Sequence, residues 1–414
     1  MTVDPNVDYL DSLSWDESMP ERTRWLRDNA PVYWAEKSGV FVVSRFADVV
    51  AVSKDQEIFT SGQGVRPRNP AKLGLIDEEE PRHGMLRKLI NKGFTPRMVK
   101  VWEEKFRRIT TETLDEIAEK GECDFVEDVA VPLPLLLIAE MIGIRREDRK
   151  RFHQWSDAMI AGDGNLDKPE IMAKAGAAFL EYTTYVKEII EERRREPQDD
   201  LVSILVNADD EGILGRFNVE GVEGLDSTAH RENANAELMM LLVLLMVAGN
   251  ETTRNAISGG MQALMENPDQ REMLIDDPSL IVTATEEIVR YVSPVHSFGR
   301  TATRDTELCG VPVREGQQVI VLYPSANRDE RQFDDPDRFD ITRRTQHVGF
   351  GIGNHFCLGA NLARMEVRVA FEELLRRFPD MEFADADRAV LRPSSLVRSC
   401  VQMNVRYTPE SRAA

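Results

Sequence analysis

Apolar residues recur every three to four positions over most of this chain and alternate only briefly. The helical spacing holds over residues 98–120, 169–196, 236–266, 281–291 and 358–378, each longer than an ordinary strand. Near the N-terminus, β-branched and aromatic runs at 32–34 and 40–43 flank Lys37-Ser38-Gly39, which predicts a hairpin. Strand-like runs return at 319–322 and 401–407. Between 208 and 233 the chain is rich in Gly, Asp, Glu and Asn without a period, which predicts a surface loop. No repeat or Pro/Ser-rich linker divides residues 1–414, so one continuous, mainly α domain with a small β part is expected.

Composition narrows the partners. The chain has 72 acidic and 52 basic side chains, a net charge of −20, which argues against nucleic acid or an anionic membrane. Its first thirty residues carry Asp4, Asp8, Asp11, Asp16, Glu17, Glu21 and Arg22, and no apolar leader. The longest apolar run, 238–249, falls short of the roughly 20 residues that cross a bilayer. No membrane anchor and a cytoplasmic location are therefore expected. Cys123, Cys309, Cys357 and Cys400 lie far apart, without metal-cluster spacing. For three of them a reduced, partly buried thiol is the plain reading.

Cys357 differs because of its neighbours, Phe350-Gly351-Ile352-Gly353-Asn354-His355-Phe356-Cys357-Leu358-Gly359. Three glycines weaken any strand or helix here and suit backbone that passes close to something large and flat. A helix starting just after the cysteine would favour its thiolate, and nearby N–H groups could tune it. A passive cysteine in a glycine turn explains an isolated GxG, but not the whole run FGxGxHxCxG. That run is the haem-binding signature of the cytochrome P450 family, which the chain resembles from about residue 20 onward.

The resemblance implies the P450 fold, a triangular helical domain with minor β-sheets, and haem b (iron protoporphyrin IX) bound through Cys357 as thiolate ligand. Phe350 and Gly351 would flank the cofactor, and His355 would bond a propionate. Ala248-Gly249-Asn250-Glu251-Thr252-Thr253 places small residues mid-helix beside an acid and a hydroxyl. Alone it is a helix with a polar patch. It matches the family's [AG]GxETT motif, which puts Ala248 and Gly249 against the cofactor and gives Glu251 and Thr252 roles in proton delivery. Glu287 and Arg290 share a helical face and match ExxR, with Arg338 as third member of a structural network. His83 and Arg87 match HxxxR, and Arg300 matches the arginine opening the next strand. Together with His355 they imply a propionate clamp.

By the same resemblance the activity is insertion of one atom of O2 into a C–H bond of a hydrophobic small molecule. No flavin or nicotinamide motif is present, so a ferredoxin and ferredoxin reductase are the expected electron donors to a monomer. Arg87, Lys88, Lys92, Arg343, Arg344, Arg364 and Arg368 are expected on the docking face. A peroxide-driven peroxygenase would lack the Glu251-Thr252 pair, and a gas sensor would not need it. The pocket is expected from the 62–75 loop, Leu244 to Ala248, Val295 to Phe298, Met159 and Ile160. Gly64-Val65-Arg66-Pro67, Leu75-Ile76-Asp77, Lys92-Gly93-Phe94-Thr95 and Asn250-Glu251-Thr252-Thr253-Arg254 look like the actinobacterial group that oxidises sterol side chains. The 208–233 loop and a polar His296 in the pocket turn depart from that group. The alternatives are a terpenoid hydroxylase or a fatty-acid hydroxylase, the latter with Arg66 or Arg68 holding the carboxylate.

Overall fold

The computed structural model describes residues 4–69, 72, 74–162, 165, 168–209, 227–386 and 388–410. Helices predominate. Those that build the site are α1 (Arg82–Ile90), α2 (Pro96–Ile117), α3 (Pro132–Ile142), α4 (Pro169–Arg195), α5 (Ser227–Glu266), α6 (Ile281–Val292) and α7 (Ala360–Arg377). The predicted periodic segments fall on α2 and α4 to α7, with ends shifted by a few residues. Local chemistry accounts for such shifts. α2 starts at Pro96 because Thr95 caps it, its hydroxyl accepting from the Met98 N–H at 3.3 Å. Its buried face, Trp102, Phe106, Ile109, Thr113 and Ile117, follows the 3.6-residue period.

α5 is the axis of the molecule. Residues Asn235–Glu266 form a helix long and apolar enough to cross a membrane, with a window of mean hydropathy 1.4, half of it buried. Here α5 packs against α3, α6 and α7, so its apolar surface serves the core. It begins at Ser227, nine residues before the predicted start. That stretch has no Gly or Pro to stop a helix, although its polar residues hide the period. The predicted 208–233 loop thus overlaps helix at both ends, Leu201–Asp209 and α5, and the rest lies outside the described residues.

The hairpin forms as predicted from β1 (Val32–Ala35) and β2 (Val40–Val43). With β3 (Phe59–Thr60), β4 (Ser297–Ala302) and β5 (Gln318–Leu322) it makes a five-stranded sheet ordered β1-β2-β5-β4-β3. β2 and β5 are parallel, Val42 opposite Ile320, and β4 is antiparallel to β5. Phe41, Val43, Val319 and Val321 enter one apolar cluster; Val40, Val42, Ile320 and Leu322 enter another. Both faces are covered, which explains apolar runs where alternation would mark a half-exposed strand.

The run at 401–407 is not one strand. Cys400–Gln402 pairs with Val390–Leu391, while Asn404–Arg406 pairs with Glu122–Asp124 and Glu382–Phe383. Buried Met403 marks the exchange of partners, its N–H donating to Asp124 at 3.0 Å.

Candidate functional site

A cavity of about 250 Å³ lies between α5, α7, the loop 349–359 and the start of β4. Cys357 faces it from the loop, Ala248, Gly249 and Thr252 from α5, and His83 and Arg87 from α1. Arg300, Phe350, Gly351 and His355 complete the set. Of the eleven predicted site residues, only Glu251 does not line the cavity.

The cysteine loop is held by its own backbone. The Cys357 N–H donates to Phe350 O at 2.9 Å, and the Gly351 N–H to Val348 O at 2.9 Å. Gly351 and Gly353 have φ of +67° and +81°, a left-handed conformation that side chains rarely adopt. At Gly353 a Cβ would also lie 2.5 Å from the carbonyl oxygen of Ser53. Two of the loop's glycines are therefore demanded by the protein itself, and a flat neighbour is not needed to explain them. α7 begins at Ala360, three residues past the cysteine. Burial raises the Cys357 thiol, while a Gly359 N–H and the Arg87 and Arg364 charges pull it down.

Behind the loop lies a buried ionic network. Glu287 and Arg290 pair in bidentate fashion at 2.6 and 2.7 Å, each about 1% exposed. Arg290 donates onward to the carbonyls of Asn327 and Pro336 at 2.7 and 2.8 Å. The expected third member, Arg338, supplies only its carbonyl, 3.2 Å from Arg290, and its side chain is exposed. The guanidinium that reaches Glu287 is that of Arg343, at 3.2 Å. Asp340 N–H also donates to Glu287, at 2.9 Å, so the turn carrying Arg338 aims its backbone at the pair and its side chain at solvent.

The polar end of the cavity suits a cofactor with two carboxylates. His83 and His355 rings lie 4.2 Å apart, and His355 Nε2 is 2.8 Å from the Ser61 hydroxyl. His83 Nδ1 meets Glu80 at 3.2 Å, but its buried Nε2 has no partner within the protein. Burial first, then Arg300, His83 and Arg87, holds His355 down at about 3. Burial lowers Arg87 as well, and Arg300 is buried with one guanidinium nitrogen on Gly299 O at 2.7 Å. An orphaned ring nitrogen beside buried Arg300 and half-buried Arg87 is an unmet demand for anions, and haem propionates would meet it.

Above the cavity the polar patch divides. Thr252 lines it, with its hydroxyl donating to Ala248 O at 2.7 Å. Glu251 points away. Arg254 and Asn255 donate to its Oε1 at 2.6 and 3.1 Å, its Oε2 is buried without a hydrogen bond, and Arg254 leads to half-exposed Asp157 at 3.7 Å. Gly249 lines the cavity, and a Cβ there would also lie 2.7 Å from Ile138 Cδ1. The glycine lets α5 and α3 touch.

One acid lining the cavity escaped the sequence reading. Glu366 on α7 is buried, and burial lifts its carboxyl to about 8 against a weak 3.5 Å contact from Thr253. Burial thus favours its protonated form. The available signal was a lone acid within the apolar stripe of α7, nine residues after Cys357.

Several peripheral expectations change. His296 stacks on Trp15 at 4.2 Å and bonds Ser394 O, so it leaves the cavity wall to Val295 and Phe298. Met159 and Ile160 do not line the cavity, although Val65, Leu75, Leu244 and Leu245 do. Arg68 is drawn off by Asp8 at 2.8 Å, and Arg66 is not on the wall. Of the presumed docking cations, Arg343 is committed to Glu287, Arg364 to Glu286 at 2.6 Å, Arg368 to Glu103 at 2.7 Å, and Arg87 to the cavity. Lys88 and Arg344 remain exposed. Cys309, expected partly buried, is exposed with its thiol on Asp48 at 3.0 Å.

This geometry coincides with that of known proteins. The Cytochrome P450 family profile matches residues 28–388. A steroid C26-monooxygenase of Mycolicibacterium smegmatis is 36% identical, over 99% of this chain and 98% of its own length. The crystal structure of CYP109E1 from Bacillus megaterium with testosterone superposes with a TM-score of 0.80 at 33% identity, covering 94% and 98% of the two chains. P450BioI, solved with an acyl carrier protein ligated to hexadec-9Z-enoic acid, reaches 0.81 at 29% identity, covering 96% and 100%. With a family profile across most of its length and relatives of this similarity, the chain belongs to the cytochrome P450 family and is a haem b-dependent monooxygenase.

Proposed function

We propose that this monooxygenase oxidises a steroid at a terminal carbon of its side chain, drawing electrons from a ferredoxin and its reductase. Residues 1–414 act as one P450 unit, a monomer. The observation that carries the substrate reading is the wall of the cavity. Among the described residues its only Arg or Lys side chains are Arg87 and Arg300, which the propionates would occupy. A fatty acid would find no other cation there, while a rigid apolar body would find leucine, isoleucine, valine and phenylalanine. The actinobacterial relative named for steroid C26 chemistry and the testosterone complex support the same class.

In this reading Cys357 would hold the haem iron through its thiolate, and His83, Arg87, Arg300 and His355 would hold the propionates. The bound haem supplies oxygen activation. Thr252 would offer its hydroxyl oxygen at the cavity wall, and Glu251 would carry protons in from Asp157 once it leaves Arg254. A terminal methyl is a stronger C–H bond than a nearby tertiary one, so the wall must select it by position. Lys88 and Arg344 belong to the ferredoxin face.

The test is a titration of the purified holoenzyme with cholest-4-en-3-one and with palmitate, read by the low-to-high-spin shift, followed by product analysis with a ferredoxin system. A sterol shift and a product oxidised at the chain end are expected. Tight palmitate binding without response to the sterol would replace the steroid by a fatty acid.

A further inference from the structure

A second cavity of about 200 Å³ adjoins the first, and Leu75 and Leu241 line both. Its wall carries a compact ion cluster: Glu78 and Arg82 stand at the entry to α1, and Glu237 stands on α5. Arg82 pairs with Glu78 at 3.1 Å and also with Glu237. These groups are largely shielded, the Glu237 side chain being 8% exposed and that of Arg82 22%. Burial lifts the Glu78 carboxyl above its usual range, with Arg82 opposing and Glu237 reinforcing. Glu237 and Ala248 lie on one helix, about 16 Å apart at about 1.5 Å per residue. That span is comparable to the long axis of a sterol.

We infer that the Glu78–Arg82–Glu237 cluster is the subsite for the oxygen at the ring end of the substrate, with Arg82 donating a hydrogen bond to a ketone or hydroxyl. The inference rests on the steroid reading above. With the side-chain terminus beside Ala248 and Thr252, the opposite end of the molecule reaches past Leu75 and Leu241 to this cluster. Its chemistry selects on both sides. A bare hydrocarbon end would strip water from charged groups and return no hydrogen bond. A carboxylate would add negative charge beside Glu78 and Glu237, where the dielectric is low. A neutral oxygen accepts a charge-assisted hydrogen bond and adds no charge.

The experiment uses holoenzyme and three ligands read by the spin-state shift: cholest-4-en-3-one, cholest-4-ene, which lacks the oxygen, and palmitate. Arg82→Met should weaken the ketone about tenfold, the worth of a hydrogen bond to a charged group, and leave cholest-4-ene unchanged. Arg82→Lys, which keeps a donor, should restore part of the loss. Glu78→Gln with Glu237→Gln should tighten palmitate about tenfold as the repulsion goes. That arm remains decisive if Arg82→Met does not fold. Equal weakening of ketone and hydrocarbon, or no change in either, would overturn the subsite, as would palmitate indifferent to both glutamine replacements. Failure of the parent enzyme to respond to the ketone would instead sink the steroid reading, and the inference with it.

Discussion

The two sides of the haem cavity are built on different terms. On the cysteine side, Phe350, Gly351, His355 and Cys357 stand at the wall with Glu287 and Arg290 paired behind the loop, and only Arg338 turns its side chain to solvent. Phe350 O receives the Cys357 N–H, and Glu287 and Arg290 pair three residues apart on one helix. On the opposite side, neighbours in a single motif part company. Thr252 faces the cavity, Glu251 turns to Arg254, and Glu366 from another helix supplies the buried acid. The cysteine's own turn is closed by bonds within the loop, whereas the direction of each polar side chain opposite depends on how α5 packs against its neighbours.

If that contrast holds, substitutions on the cysteine side should abolish and those opposite should divert. The largest effect is expected at the ligand. Cys357→His should lose the long-wavelength thiolate band of the carbon-monoxide difference spectrum, while Cys123→Ala, Cys309→Ala and Cys400→Ala keep it. Survival of the band in Cys357→His would remove the axial assignment.

Glu287→Ala comes next. It leaves the buried Arg290 without its counter-charge, a loss of the kind worth about 3–5 kcal/mol. Urea midpoints and haem content should both fall. Arg338→Ala should do little by comparison, and Arg343→Ala should lie between them. An Arg338→Ala defect as large as that of Glu287→Ala would contradict the reassignment.

Thr252→Ala should retain haem and substrate yet waste reducing equivalents. Proton help of this type is commonly worth about 10² to 10⁴ in rate, and water can replace part of it. The ratio of product formed to NAD(P)H consumed reads the effect. Glu251→Gln and Glu366→Gln, measured alongside, decide which acid feeds the hydroxyl. An unchanged ratio in Thr252→Ala would take that residue out of the chemistry.

A separate readout is stability against pH. The Glu366 carboxyl rises from about 4.5 in the unfolded chain to about 8 in the folded one. Between those values the folded state holds the extra proton, so stability falls as pH rises through the window. Glu366→Gln should remove this slope, gaining stability relative to the parent from pH 5 to pH 8 in melting experiments. Parallel curves for the two would mean that Glu366 is ionised when folded.

What the chain alone determined is periodicity and local backbone chemistry. The 3.6-residue pattern located the long helices, Lys37-Ser38-Gly39 turned the hairpin, and the run Phe350 to Gly359 marked the cysteine loop, because each depends on residues close in sequence. Tertiary packing decided the rest. Arg338 and Arg343 differ little as sequence, and only the path of the chain past Glu287 chose between them. His296 was available to the cavity until Trp15, some 280 positions earlier, stacked on its ring. Gly249 makes room for Ile138, and Arg82 meets Glu237 across more than 150 residues. A side chain's direction, and the charge it finds there, is a property of neighbours that only the folded core brings together.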